Sequence, residues 1–407
     1  VGTLNDYVSL ALIISAIIII IGFLGNYLFE KKSLPDMLFL IALGIVFGPI
    51  LRIFDPIAVG SLAPYIAALA LVFILFDGGM KMDISQTISY GPRAVLLAVT
   101  GFVFSMLGVA LFMVVLFGVP LPYGLLFGSM YGGSSSIVVV SLASRIKISE
   151  KCSTTLILES ALTDILCVVI SLAIIGAIVT GQADYTVVSI GIGSKFVIGA
   201  LLGVVVGFLW LILLKRVVTL PFSYMLTLAV VLLTYALSEN LGGSGALSAL
   251  LFGLTLGNEK RILKVLKREK TNDYAVNGGF RRFESEIAFL IRTFFFFFLG
   301  VIATISNFSF VLLGAILSLL LLLVRFGAVK LTTIRSELNK EVTLMAIVLT
   351  RGLAAAVLAT LPKQSGLQFS DVFINLAIII IMSTAIIATM GVLIITRKGK
   401  PPNQQTG

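Results

Sequence analysis

Between Thr155 and Ile170 the chain reads TLILESALTDILCVVI, apolar enough to sit in lipid yet carrying two carboxylates, Glu159 and Asp164, with the hydroxyls of Ser160 and Thr163. On insertion scales a charge at the centre of a bilayer costs about 3 kcal/mol, so acids kept there point to proton or ion chemistry. At about 100° per residue, Glu159, Thr163, Ser160 and Asp164 fall near 0°, 40°, 100° and 140° around a helix. They share one face, and the opposite arc is Leu158, Ala161, Leu162 and Ile165, with Leu166 at the border. A third acid, Asp77, lies in FILFDGGMKMD, and Arg325 and Arg351 add buried positive charge that no proton loss can remove. Buried charges pair where they can. Asp164 stands out because its hydroxyl neighbours could help a carboxylate hold a dehydrated alkali cation in place of a proton.

The elements that must position these residues are membrane helices. Of the 407 residues, 59% are hydrophobic and 12% charged, and apolar runs repeatedly exceed the length of a spanning helix. The net charge of +10 resides in short loops, without the basic and aromatic interleaving of a nucleic-acid surface. Two cysteines, Cys152 and Cys167, and no histidine exclude a His/Cys zinc cluster and argue against a disulfide framework. The start, VGTLNDYVSL, lacks a basic n-region, so no secretory signal is read there. No cofactor is expected.

About thirteen spans are expected, near 8–28, 34–50, 62–80, 91–117, 122–143, 153–181, 187–214, 221–238, 242–257, 285–304, 307–334, 339–361 and 371–396. Basic residues gather in the loops of one side, most densely in EKRILKVLKREKTNDYAVNGGFRR (259–282), whereas the other side shows only Arg52 and Lys363. The positive-inside rule then puts the N-terminus outside and the C-terminus in the cytoplasm. The 259–282 loop reads as a topogenic loop against anionic lipid, or as a regulatory one. The tail RKGKPPNQQTG (397–407) reads as the end of order or the stump of a cytoplasmic domain.

Two segments, GNYLFEKKSLPDMLFLIALGIVFGP (25–49) and SENLGGSGALSALLFGLTLGN (238–258), share a break followed by a short, Gly-punctuated apolar run. They lie an odd number of spans apart, which inverts one copy relative to the other, the plan of many secondary transporters. By that offset the fifth span pairs with the twelfth. Both are interrupted, at YGGSSSIVVV (131–140) and VLTRGLAAAV (348–357), and freed backbone at membrane depth is tolerable only around a cavity or buried site.

LESALTD resembles the Glu-Ser-x-x-Asn-Asp signature of the electroneutral branch of the monovalent cation/proton antiporter superfamily, in particular its prokaryotic sodium/proton antiporters. FDGGMKMD resembles its acidic-Gly-Gly motif, FLIRTFFFFFLG its aromatic tenth span, LLLLVRFGAVKL its span with a buried arginine and LTRGLAAAVLATLP its Arg-Gly span, in order along nearly the whole chain. The resemblance implies a single all-α transporter domain with inverted repeats and two crossing broken helices, working as a homodimer. Core helices would lie near 62–181 and 285–396 and interface helices near 1–50 and 187–257. It makes Asp164 the carboxylate that binds Na⁺ or a proton and Ser160 a coordinating oxygen, with Thr163, Ser134, Ser135 and Asp77 also on the ion or proton path. Glu159 would be held by Arg325, and Arg351 would support the broken helix. Two positions depart from the pattern: Thr163 stands where Asn is usual, and Ser134-Ser135 where Thr-Asp is common. Serine-rich crossovers resemble potassium-efflux relatives of another branch.

The expected activity is secondary antiport of Na⁺, with Li⁺ as a surrogate, against a proton across the cytoplasmic membrane, with K⁺/H⁺ exchange as the alternative. An intramembrane aspartyl protease would need two aspartates within bonding reach, such as Asp77 and Asp164, and no protease motif accompanies them. A passive channel would need a repeated filter loop or an acidic ring, which the sequence lacks.

Overall fold

The computed structural model describes residues 4–32, 35–54, 56–135, 148–181, 185–265, 275–303 and 308–398. Every regular element among them is helical. In chain order they are α1 (Leu4–Lys32), α2 (Asp36–Ile45), running on as a π turn (Val46–Ile50), α3 (Pro56–Lys81), α4 (Ile84–Phe117), α5 (Leu121–Met130), α6 (Glu150–Thr180), α7 (Tyr185–Val217) and α8 (Ser223–Asn240). There follow α9 (Gly245–Gly257), α10 (Glu259–Val265), α11 (Gly278–Val301), α12 (Phe308–Thr333), a 3₁₀ turn (Glu337–Glu341), α13 (Val342–Ile347), α14 (Leu353–Gln364) and α15 (Ser370–Lys398).

Five of these contain stretches long and apolar enough to cross a bilayer: Gly91–Phe117, Lys151–Thr180, Gly193–Val217, Ser309–Thr333 and Ser370–Ile395. Others are shorter because the chain breaks them. The twelfth expected span is α13, an extended stretch at 348–352 and then α14. The fifth leaves helix at Met130, and 131–135 are turn and irregular chain. Its remainder, 136–147, lies outside the described residues, as does the middle of the basic loop, 266–274.

Contacts divide the chain into two units. The first comprises Val1–Pro64, Arg93–Asp164 and Thr293–Gly407; the second comprises Tyr65–Pro92 and Ile165–Arg292. In the first, Gly44 and Gly48 let α2 lie directly on the α11 backbone: a methyl at Gly44 would sit 2.1 Å from the Phe297 carbonyl oxygen, and one at Gly48 2.7 Å from that of Val301. Ile14 and Ile18 of α1 pack with Phe297 and Val301 in a small apolar cluster beside that contact.

The second unit repeats the device. Gly253 and Gly257 of α9 abut Phe76 and Met80 of α3 in the same way. The two contacts join the second expected span to the tenth and the ninth to the third, which is the correspondence the inverted repeat requires. Around this contact Phe76, Met80, Trp210, Leu214, Phe252 and Phe280 form the unit's buried apolar cluster. The break before α9 is held by its own chemistry. Ser244 Oγ accepts the Leu247 N–H at 3.3 Å, Glu239 Oε1 accepts the Gly245 N–H at 2.7 Å, and Gly242 turns the chain at φ +76°.

Helices α7 and α9 approach through a row of small residues, as lipid-embedded helices commonly do. A Cβ at Gly203 would lie 2.4 Å from the Ser248 carbonyl oxygen, whereas at Gly193 nothing lies within 4 Å. Gly203→Leu should therefore cost about 1–3 kcal/mol through overpacking and lower the melting temperature of the detergent-solubilised protein. Gly193→Ala should leave it unchanged or raise it, since alanine favours helix. Equal effects of the two substitutions in a thermal melt would refute this account of the α7–α9 contact.

Candidate functional site

The polar face of α6 meets the two interrupted segments in the first unit. Glu159, Ser160 and Thr163 are buried and Asp164 is half-buried. Arg325 of α12 grips Glu159 with both terminal nitrogens, Nη1 to Oε1 and Nη2 to Oε2, each at 3.1 Å. Its third donor, Nε, reaches the Met345 carbonyl at 3.1 Å, near the end of α13 where the helix can no longer use that oxygen. Arg325 thus binds one acid and one freed carbonyl, in the planar fork geometry that suits guanidinium.

The hydroxyls extend this arrangement to the first interruption. Ser134 Oγ donates to Glu159 Oε2 at 3.2 Å, and Ser160 Oγ donates to the Ser134 carbonyl at 2.6 Å. Thr163 Oγ1 accepts the Ser134 N–H at 3.2 Å and donates to the Ser160 carbonyl at 3.0 Å. Ser134 is therefore fixed on its amide, carbonyl and hydroxyl by three side chains of one helix. Thr163, shorter than the carboxamide usual at this position of the resembling family, acts here on the interrupted backbone.

The two interruptions also bond to each other. The Ser135 N–H donates to the Thr350 carbonyl at 2.7 Å, and the Arg351 guanidinium donates to the Gly133 carbonyl. The Arg351 N–H is accepted by Thr384 Oγ1 of α15 at 3.1 Å. Gly352 is required where the chains cross, because a Cβ there would fall 2.5 Å from Ser135 Oγ. The crossing is a short, irregular ladder, and side chains from α6 and α15 meet the Ser134 amide and carbonyl and the Arg351 amide that helix would otherwise use.

Of the residues singled out in the sequence, Glu159, Ser160, Thr163, Ser134, Ser135, Arg325 and Arg351 thus converge in one unit, with Asp164 one turn along α6 from Ser160. Asp77 belongs to the second unit. There Lys81, one turn on, places Nζ 2.5 and 2.6 Å from its two carboxylate oxygens. Asp77 also faces Glu284 of α11, a buried acid that no motif reading singled out.

Other ties were equally invisible in the sequence. Asn258 accepts the Ile84 N–H at 3.1 Å and donates to the Met82 and Leu254 carbonyls, each at 2.8 Å, fastening the end of α9 to the α3–α4 turn. Glu259, inside the stretch read as basic, receives the Ala275 and Val276 amides at 3.0 and 2.8 Å. That carboxylate closes the loop between α10 and α11.

Comparison with known proteins accords with this architecture. The family model described as "Sodium/hydrogen exchanger, transmembrane" matches residues 13–398. The chain belongs to the sodium/hydrogen exchanger family. Among curated relatives, the chain is 27% identical over 394 residues to the K(+)/H(+) antiporter NhaP2 of Shewanella sp. (strain ANA-3), covering 94% of itself and 66% of that protein. It is 26% identical over 328 residues to Na(+)/H(+) antiporter 1 of Methanocaldococcus jannaschii, covering 74% and 68% respectively. It spans about two thirds of the length of the NhaP2 relatives. The structure of the sodium proton antiporter MjNhaP1 from M. jannaschii at pH 8 superposes with a TM-score of 0.78 at 21% identity, covering 95% of this chain and 98% of that one. The likeness is one of fold.

The Glu159–Arg325 pair sets a stability test. Removing one partner of a buried ion pair costs about 3–5 kcal/mol, because the other charge is left stranded. Glu159→Gln and Arg325→Met should each lower thermal stability, and the double variant should recover part of the loss. Additive losses in the double-mutant cycle would show that the two side chains are energetically independent.

Proposed function

We propose that this exchanger is the transport unit of an electroneutral antiporter that trades one Na⁺, or Li⁺ as a surrogate, for one proton across the cytoplasmic membrane by alternating access. The carrying observation is that each nitrogen of the Arg325 guanidinium is bound, by Glu159 or the Met345 carbonyl, and that Asp164 lies half-buried one turn from Ser160, which itself bonds the crossing. Membership of the exchanger family supports the reaction class.

A carboxylate can hold a proton or a cation, and competition for Asp164 would couple the two fluxes. Ser160 Oγ already donates to the Ser134 carbonyl, which leaves its lone pairs for a cation. Ser134 and Ser135 supply the adjoining oxygens of the crossing. Thr163 braces that crossing, and its hydroxyl cannot stand in for a second acid. Arg325 is a fixed positive charge, and Glu159 is its bidentate partner. Asp77 is balanced by Lys81. One group therefore changes charge per turnover, and exchange is one for one.

In this reading the N-terminus is outside and the C-terminus cytoplasmic. The chain pairs as a homodimer through helices near 1–50 and 187–257, around cores near 62–181 and 285–396. K⁺/H⁺ exchange is the second reading, favoured by the serine-rich crossing and by the similarity to proteins named K(+)/H(+) antiporters.

Purified protein in liposomes with an imposed pH gradient tests both readings. Wild type should exchange Na⁺ and Li⁺ in preference to K⁺, at a rate that does not shift when the membrane potential is clamped at several values. Asp164→Asn should fold and lose exchange in both directions. Robust exchange by that variant would remove Asp164 from the site, a voltage-dependent rate would overturn one-for-one coupling, and K⁺ preference would decide for the second reading.

A further inference from the structure

One buried acid takes no part in the exchange chemistry above. Glu284, in the second turn of α11, is 3% exposed, and its Oε1 has no hydrogen-bond partner among the described residues. It faces Asp77 of α3, also buried, with Lys81 of α3 and Arg281 of its own helix as the charged neighbours. Lys81 is bonded to Asp77, and Arg281 directs its guanidinium to the Met80 and Gly257 carbonyls at 3.3 and 3.0 Å. Other charged side chains of the unit are engaged elsewhere. Arg261 bonds Asp83, Lys215 lies 3.9 Å from Glu259, and Arg282 pairs with Glu286 on the exposed side of α11.

Two carboxyl groups facing each other out of water resist double ionisation, because each anion raises the cost of the other. A single lysine, bonded to Asp77, matches only one of the two charges. We propose that Asp77 and Glu284 share one proton, forming a proton-binding site distinct from Asp164 that latches the inner ends of α3 and α11 together. With the proton in place, Glu284 can donate to Asp77. Without it, two carboxylates face each other and the latch opens.

Glu284 precedes the apolar run of its span. Burial, then the charge on Asp77, push its carboxyl up to about 9, against the opposing pull of Lys81 and Arg281. Between the ordinary glutamate range and that value the folded chain binds a proton that the unfolded chain has lost. The contribution of the shared proton to stability is therefore whole only below the ordinary glutamate range, declines across the interval and is lost once pH has risen through about 9. This proton sets the state of the inner end and is not carried at each turnover. Its link to transport rests on the antiport reading; its existence does not.

The test is infrared difference spectroscopy of the full chain in lipid vesicles during a pH titration. A protonated-carboxyl band should vanish as pH rises through about 9, persist in Asp164→Asn, and be missing from Glu284→Gln. Asp77→Asn, which keeps Glu284 buried but removes the facing charge, should move the midpoint to lower pH. No alkaline-titrating band in wild type, or the same band in Glu284→Gln, would overturn the pair. So would an unmoved midpoint in Asp77→Asn. In liposomes at saturating Na⁺, where competition at Asp164 is suppressed, wild-type turnover should rise on the alkaline side and that of Glu284→Gln should stay flat. Identical profiles would overturn the latch. The spectroscopic arm needs no transport, so its failure is separable from failure of the antiport reading.

Discussion

The ion pair between Glu159 and Arg325 is the constraint around which the first unit is organised. Neither charge could remain in an apolar interior alone, and each determines where the other's helix must pass. Because the contact is bidentate, α6 and α12 are fixed in distance and in rotation. The third nitrogen of Arg325 then extends this order to α13, whose last turn needs a donor for the Met345 carbonyl. The acid extends it in the other direction through the Ser134 hydroxyl. Two long regular helices thereby hold two short broken ones in register.

The sequence made the polar face of α6 legible, since four polar residues at helical spacing in an apolar run admit one arrangement. It also marked both interruptions, because Gly, Ser and Arg in YGGSSS and LTRG oppose continuous helix. What it could not show is what satisfies them. The partners of Arg325 and Arg351 include the Met345 and Gly133 carbonyls, and any residue type can offer a carbonyl. Glu284 escaped notice for a different reason. Its meaning comes from Asp77, roughly two hundred positions away, and two acids, Glu284 and Glu286, beside two arginines read locally as an ordinary charged helix end. Glu259 was hidden at the head of a stretch whose dominant property is positive charge, and Asn258 at the end of a Gly-punctuated apolar run, although their bonds are to backbone groups.

The internal symmetry is clearest in contacts that carry no chemistry. Two pairs of glycines four residues apart, Gly44 with Gly48 and Gly253 with Gly257, bring α2 onto α11 and α9 onto α3. Close packing of this kind allows little sliding, because the facing carbonyls fit between the glycines and nowhere else. Charge differs between the halves while the steric plan is kept. The first half carries the acids of α6, and the second supplies Arg325 and Arg351 to meet them.

The peptide unit joining Ser134 to Ser135 has its carbonyl bound by Ser160 of α6 and its amide bound by Thr350 of the second interruption. A peptide is a rigid plate, and its two polar groups point in opposite directions. Turning the plate would release both partners at once, and displacing either partner would pull on the other through a nearly inextensible link. Strain entering from α6 is passed to the 348–352 stretch without a soft joint between them. The crossing therefore behaves as a single mechanical piece, so motion near it must either carry the piece whole or break it at both ends.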